Sequence, residues 1–262
     1  MMRLITWLLM QGVMQAVMLA VILVLRPVMA IEQNHLTDLQ RQLPAEELLQ
    51  LSAQQENFLV LQRDTLTSYT KGTAILIPDS SEHPASPKHI DHLRQQLPLH
   101  GWHTLALIPP QLNTPLVDQN QTDYHQQMLS RLQAVQQQAL KQPGSIIIIA
   151  QGNSAAVVNR LLADGQLAEP VAFVMLGAYL SDPQLNRRIA DALAQQQVAT
   201  LELAHQFDNP RVAQQLLRRQ QLANKALKAV YRQRQLSGSA YHADVQVWVL
   251  KEIVGWLGSM GL

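Results

Sequence analysis

A run of isoleucines leads directly into a turn of small residues within residues 145–158. The four isoleucines at 146–149 are typical of a buried strand, and the alanines and valines at 155–158 begin an apolar helix. A sharp turn between such a strand and a helix can hold one side chain clear above a parallel sheet, where a serine hydroxyl can attack an acyl group. The chemistry that this stretch could support is therefore nucleophilic acyl transfer, provided that a serine occupies the tip of the turn.

Two registers of this turn are open. The nucleophile pattern G-x-S-x-G fits residues 152–156 if its last glycine is relaxed to alanine, and Ser154 is then the nucleophile. In hydrolases the first small residue usually follows the last apolar residue of the strand, which selects residues 150–154 instead. The elbow tip is then Gly152, which has no nucleophilic side chain. We favour Gly152 as the tip because the second register matches the point where the strand ends.

Two polar loops farther along the chain carry an acid and a base. Asp208 follows a strand predicted at residues 200–203, and His242 lies in the loop at residues 237–244. The order nucleophile, acid, base is that of the α/β-hydrolases. In a working triad His242 would accept the hydroxyl proton while Asp208 fixes its tautomer. Simpler roles stay open, since Asp208 could cap a helix, His242 could be a solvated loop residue and Ser154 could cap the first helical turn.

Histidines and acids nearer the N-terminus form weaker candidate sites. Asp79 and His83 could be a charged pair lining the cleft, although a polar surface loop is the simpler interpretation. The loop that carries them contains no glycine, and Pro78 lacks a backbone donor. It is therefore a poor candidate for supplying half of an oxyanion hole. His89 and His92 have a helical spacing that could present two metal ligands, but no H-E-x-x-H motif accompanies them. We therefore predict neither a metal nor a cofactor.

Strands and helices alternate over most of the chain. Apolar strands are predicted at residues 74–77, 104–108, 146–149, 171–176, 200–203 and 230–236, with helical patterns between them. Short strands at residues 59–61 and 66–69 are predicted to form an antiparallel hairpin that precedes them. This order predicts an α/β fold, an α/β-hydrolase-like three-layer sandwich with a mostly parallel sheet. The predicted domain spans residues 58–262, after a helical lead-in at residues 31–57.

The first thirty residues form a separate segment. Arg3 precedes a largely apolar stretch at residues 5–25, and small residues before Ala30 offer a cleavage site. We favour a cleaved signal peptide over residues 1–30, while an uncleaved membrane anchor stays open because the stretch is long enough to span a bilayer. Both alternatives predict a periplasmic or exported domain, which would contact the membrane only through residues 1–30 if they are retained.

Composition excludes several classes of function. The chain has 262 residues, a net charge of +1 and no cysteine. Well-mixed charges without a basic stripe give no footprint for nucleic acid, and the lack of cysteine excludes disulfides, thiol nucleophiles and cysteine-ligated zinc. The partner that we predict is a small molecule or a component of the cell envelope.

Several short motifs resemble an uncharacterised family of exported, α/β-hydrolase-like proteins from proteobacteria. The matching segments are residues 71–79, His83-Pro84, Gly101-Trp102, residues 231–233 and residues 253–257. The resemblance covers nearly all of the chain after residue 44 and implies a hydrolase-type fold and an envelope location without an assigned substrate. Such proteins often have a degenerate elbow. This favours a binding protein that has lost catalysis, and the alternative is a serine hydrolase that uses Ser154, Asp208 and His242.

Overall fold

The computed structural model describes residues 39, 41–54, 56–112 and 114–262. The strands are β1 (Leu48–Ala53), β2 (Glu56–Arg63), β3 (Gly72–Ile77), β4 (Trp102–Leu107), β5 (Ser145–Gln151), β6 (Ala172–Leu176), β7 (Thr200–His205) and β8 (Tyr231–Leu236). The α-helices are α1 (His89–Gln96), α2 (Gln121–Ala139), α3 (Gly152–Ala163), α4 (Pro183–Gln195), α5 (Pro210–Lys225) and α6 (Ala243–Ser259). Short 3₁₀ helices occur at Ala45–Glu47 and Leu97–His100.

The eight strands form one sheet in the order β1-β2-β4-β3-β5-β6-β7-β8. β2 is antiparallel to both of its neighbours, and all pairs from β4 to β8 are parallel. Parallel pairs require crossover connections, and helices supply them from β3 onward. The carboxyl ends of β3, β5, β6 and β7 therefore meet at one edge of the sheet. This confirms the predicted fold class, a mostly parallel sheet with an antiparallel N-terminal pair.

The N-terminal hairpin differs from the prediction. β1 pairs with β2, so the helical lead-in expected over residues 31–57 is corrected from Leu48 onward, and residues 66–69 form no strand. The hairpin turn begins at Gln54, whose φ is +55°, without the Asn-Gly or Asp-Gly sequence that usually signals such a turn. Leu49 and Leu51 pack against the core from β1. Their close spacing with other leucines resembles a helical stripe, and pairing with β2 overrides that local preference.

Both faces of the sheet are buried. Side chains alternate between faces along a strand, and on β5 Ile148 belongs to a core cluster shared with α2, α3 and α4. Ile147 and Ile149 are equally buried but project to the other face. Among the helices, α1 contacts α6. The others form a second group in which α2 contacts α3, α3 contacts α4 and α4 contacts α5. Two groups of helices covering two apolar faces make the three-layer sandwich.

The described fold belongs to one compact unit, Pro44–Leu262, and the residues before Pro44 fall into a separate unit. Within the described part of the chain, no helix combines the length and hydropathy that a membrane span needs. The predicted signal or anchor at residues 1–30 lies outside the described residues.

A buried ion pair fixes α5 against the last strands. Glu202 on β7 and Arg219 on α5 are almost completely buried and form a salt bridge. The same carboxylate accepts hydrogen bonds from the Tyr231 hydroxyl at 2.6 Å and the Gln233 amide at 2.8 Å, and Arg219 also donates to the Ala178 carbonyl at 2.8 Å. Each buried charge is therefore compensated, which the low polarity of the surroundings requires.

Loss of this arginine should leave Glu202 as an unpaired buried charge. We expect Arg219→Met to lower the free energy of unfolding by about 3–5 kcal/mol. The neighbouring Arg218 pairs with Asp191 at the surface and is half-exposed, so we expect Arg218→Met to cost at most about 1 kcal/mol. Urea unfolding of both variants measures the difference, and similar costs would contradict a structural role for the buried pair.

Candidate functional site

The turn between β5 and α3 has the shape of a nucleophile elbow with a glycine at its tip. Gln151 ends β5 in an extended conformation, and Gly152 begins α3 with φ at +58°. This left-handed conformation is costly for residues with a side chain and accessible to glycine. Gly152 therefore occupies the left-handed position between β5 and α3, and this position carries no nucleophilic side chain.

The carboxylate of Asp79 occupies the space where a side chain at the tip would be. A Cβ atom built on Gly152 would lie 1.7 Å from Oδ2 of Asp79. The same oxygen accepts a hydrogen bond of 2.9 Å from the backbone N–H of Asn153, and Oδ1 accepts from the Ser81 N–H at 3.1 Å and the Ser81 hydroxyl at 2.9 Å. In α/β-hydrolases the N–H after the nucleophile is half of the oxyanion hole. Here that donor is already bound to an internal anion.

A second glycine and carboxylate repeat this arrangement on the next strand. Gly177 follows β6 with φ at +53°, and a Cβ atom built on it would lie 2.9 Å from Oδ2 of Asp208. Gln151 pairs with Leu176 in the sheet, so Gly152 and Gly177 follow adjacent register positions. Asp208 accepts a hydrogen bond of 2.7 Å from the His205 N–H, and burial raises the pKa of its carboxyl above the usual range.

Two buried histidines lie beside these carboxylates. Nε2 of His89, at the start of α1, and Nε2 of His205, at the end of β7, are 2.7 Å apart, and the rings stack with centroids 4.7 Å apart. Burial lowers the pKa of His89 to about 3, and electrostatic repulsion by the neighbouring His205 contributes to the shift. Burial also lowers the pKa of His205, an effect that the charge of Asp208 partly offsets. Near neutral pH the pair is uncharged, and one ring donates to the other.

These groups surround a cleft of about 280 Å³ at the carboxyl ends of the strands. Glu82 and Lys88 form an ion pair on its wall, and the Lys88 ammonium also lies 4.7 Å from the centre of the Tyr241 ring. Tyr179 and Phe207 complete the lining beside the two aspartates and two histidines. The cleft combines a polar floor with aromatic groups near the surface, an arrangement suited to a small polar ligand.

Another groove, of about 300 Å³, lies on the flank of the sandwich between α2, α3 and α4. Its two arginines, Arg160 and Arg188, are engaged by Asp164 and Asp118. The groove lies away from the carboxyl ends of the strands, so the cleft at the elbow is the better functional site. Among the described residues, no group of three or more acidic or histidine side chains could hold a metal ion.

Comparison with known proteins identifies the family. The model of a family described as protein of unknown function, DUF3530, matches residues 15–123 and 115–259. The chain belongs to the DUF3530 family. No curated protein sequence matches this DUF3530 chain.

Solved structures with the same fold include several hydrolases. A putative dienelactone hydrolase from Klebsiella pneumoniae has a TM-score of 0.59 and 14% identity, covering 80% of this chain and 97% of its own. Est1E from Butyrivibrio proteoclasticus has a TM-score of 0.61 and 11% identity, covering 81% and 99%. The carboxylesterase Cest-2923 from Lactobacillus plantarum has a TM-score of 0.62 and 13% identity, covering 82% and 97%. At such low identity the similarity establishes the α/β-hydrolase fold of this DUF3530 protein and nothing finer.

The predicted triad residues of the DUF3530 chain lie in three different environments. Ser154 is 0% exposed in the first turn of α3, and its hydroxyl is close enough to Tyr124 to lower the pKa of that phenol, which burial raises overall. Asp208 lines the cleft. His242 is exposed and precedes α6, where its backbone carbonyl accepts from the Val245 N–H at 3.0 Å. In the described part of the chain, no hydrogen bond joins any two of the three predicted residues.

Sequence reasoning missed the principal components of the cleft. Asp79 was predicted only as a partner of His83, whose Nδ1 instead accepts from the Ala85 N–H at 3.2 Å. His205 was overlooked in favour of Asp208, although it lies in the loop that follows a predicted strand and is therefore near the functional edge of the sheet. His89 was considered only as a metal ligand. The available signal was the placement of both histidines at element boundaries on this edge.

Steric exclusion at the elbow tip is testable with two glycines. Gly152 and Gly165 have similar φ angles of +58° and +64°, but a Cβ atom on Gly165 would have no neighbour within 4 Å. We expect Gly165→Ala to lower the free energy of unfolding by about 1 kcal/mol through its backbone conformation alone. Gly152→Ala should cost about 3 kcal/mol because the methyl group also overlaps the Asp79 carboxylate. Equal costs in urea unfolding would contradict the packing of Asp79 against the tip.

Proposed function

We propose that this protein is a hydrolase-fold binding protein of the cell envelope that does not catalyse acyl transfer. The observation that carries the proposal is the glycine tip, together with the Asp79 carboxylate that takes the nucleophile's place. Binding would use the cleft at the strand ends, where ligands of this fold class usually lie. A small molecule or an envelope partner would occupy it.

Acyl transfer needs a nucleophile and free donors for the oxyanion. A nucleophile must lie within hydrogen-bond reach of its base, and Gly152 offers no such group. The donor after the tip, the Asn153 N–H, is bound to Asp79 at 2.9 Å. A negatively charged oxygen formed during the reaction would have to displace this carboxylate and would be repelled by it. The tip therefore offers neither the nucleophile nor the free donor that acyl transfer needs.

The competing hypothesis is a serine hydrolase that uses Ser154, Asp208 and His242. Its support is the chain order of the three residues and the presence of esterases among proteins that share the fold. It requires the buried Ser154 hydroxyl to leave the first turn of α3 and reach an exposed His242. This rearrangement would disrupt the start of α3, which favours the binding protein.

An active-site probe separates the two hypotheses. We expect a fluorophosphonate probe to leave the folded protein unlabelled, because the cleft contains no activated serine. Ser154→Ala, and Ser81→Ala as a matched variant within the cleft, should give the same background as the wild type. Labelling that disappears in Ser154→Ala would establish the hydrolase, and labelling that disappears only in Ser81→Ala would reveal a different nucleophile. Either result would overturn the non-catalytic proposal.

The envelope location depends on residues 1–30. The positive residue, the apolar stretch and the small residues before Ala30 support export by a cleaved signal peptide. Retention of residues 5–25 as an inner-membrane anchor is the alternative, and it places the folded domain on the same side of the membrane.

Fractionation of a Gram-negative host that expresses the full chain tests this location. We expect a periplasmic protein whose intact mass corresponds to a chain that begins at Ile31. Arg substitution of Leu19 and Leu23 should interrupt the apolar stretch and retain the protein in the cytoplasm at full length. Uncleaved wild-type protein in the membrane fraction would indicate the anchor, and uncleaved wild-type protein in the cytoplasm would contradict export.

A further inference from the structure

Two carboxylates lie against adjacent strand ends in the cleft. Gly152 and Gly177 follow paired positions of β5 and β6, and each glycine leaves space that an aspartate oxygen fills. Neighbouring strands are about 4.8 Å apart, so the carboxylates of Asp79 and Asp208 approach the same part of the cleft. Among the described residues neither of them forms a salt bridge.

The charge balance of the cleft is negative. Its acidic groups are Asp79, Glu82 and Asp208, and its one ammonium group, Lys88, is paired with Glu82. His89 and His205 contribute no positive charge near neutral pH. Burial raises the pKa of Tyr179, and the charge of Asp79 raises it further. An incoming cation would be attracted and an anion repelled.

The histidine pair provides independent evidence of an unfilled polar site. His205 is only 5% exposed and lines the cleft, as does the buried His89, and Nδ1 of neither ring has a hydrogen-bond partner among the described residues. A neutral imidazole has one N–H and one acceptor nitrogen. Because the rings share one hydrogen bond through Nε2, one Nδ1 is left as a free acceptor and the other as a free donor. Whichever ring donates, one of the two buried Nδ1 atoms is an acceptor without a partner among the described residues, and such an atom is costly.

Aromatic side chains at the mouth of the cleft can also receive a cation. Phe207 is 73% exposed and Tyr241 is 64% exposed, and both line the cleft. Tyr241 already holds the Lys88 ammonium 4.7 Å from its ring centre. This contact is a cation–π interaction, so the rim has the chemistry to accept a second ammonium group.

We propose that the cleft binds a small organic cation that carries primary ammonium groups, held by Asp79 and Asp208. This inference rests on the proposed binding function, because a catalytic cleft would use the same residues differently. The lack of a metal-binding group among the described residues favours an organic cation over a metal ion. The ligand's ammonium hydrogens would donate to the carboxylates, while Phe207 would cover its hydrocarbon part.

Isothermal titration of the full-length protein in a nonionic detergent tests the inference with three probes of similar length. These are 1,4-diaminobutane as the dication, 1,4-butanediol as the uncharged analogue and succinate as the dianion. We expect only the diamine to bind at pH 7, with an affinity that falls as salt rises. Asp208→Asn should weaken binding at least about tenfold, the effect of losing one charged hydrogen bond. Asp208 is chosen because Asp79 also holds its own loop through Ser81.

A variant outside the cleft controls for net charge. Asp244 is exposed in the first turn of α6, and we expect Asp244→Asn to change the affinity less than twofold. Binding of succinate or of the diol in place of the diamine, equal effects of the two substitutions, or no binding of any probe would each overturn the cationic ligand class. The binding proposal itself fails only through fluorophosphonate labelling, so the two failures are distinguishable.

Discussion

The contact between the Asp79 carboxylate and the elbow tip is the constraint on which the cleft depends. A buried anion needs several donors, and the first turn of α3 supplies one while Ser81 supplies two more. The positive end of the helix dipole adds to this stabilisation. Since the oxygen lies where a Cβ atom would be, residue 152 has to be glycine. One interaction therefore determines the tip residue, occupies the oxyanion donor and sets the sign of charge in the cleft.

The sheet makes this contact possible by bringing distant loops to one edge. Asp79 follows β3, Gly152 follows β5, and the pairing of these strands from Gly72 with Ser145 to Ile77 with Ala150 fixes their ends side by side. Apolar residues pack tightly on both faces of the sheet and hold the strands in place. The loops that follow β3 and β5 therefore begin at fixed positions. The polar groups of the site are consequently concentrated at strand ends, where backbone donors are not used by the sheet.

The sequence was sufficient for the architecture, but less so for the site. The isoleucines at 146–149 and the alternation of strands and helices after them predict a parallel sheet. The end of the isoleucine run favoured Gly152 as the tip. The β1–β2 hairpin was missed because its turn at Gln54 lacks a glycine or asparagine signal. The role of Asp79 could not be derived from its neighbours, since its donors at Asn153 lie over seventy positions away. Contacts between loops of different strands are set by tertiary packing, which local patterns do not encode.

The mutual fit of Asp79 and Gly152 also has an evolutionary consequence. Restoring a serine at position 152 alone would force its side chain onto the carboxylate. Replacing Asp79 alone would leave the Asn153 N–H and the Ser81 groups without their acceptor. Each single step is unfavourable although the two together could be tolerated, a case of epistasis between residues in contact. A serine at position 152 is therefore compatible with this structure only if residue 79 changes as well, so the two positions have to change together.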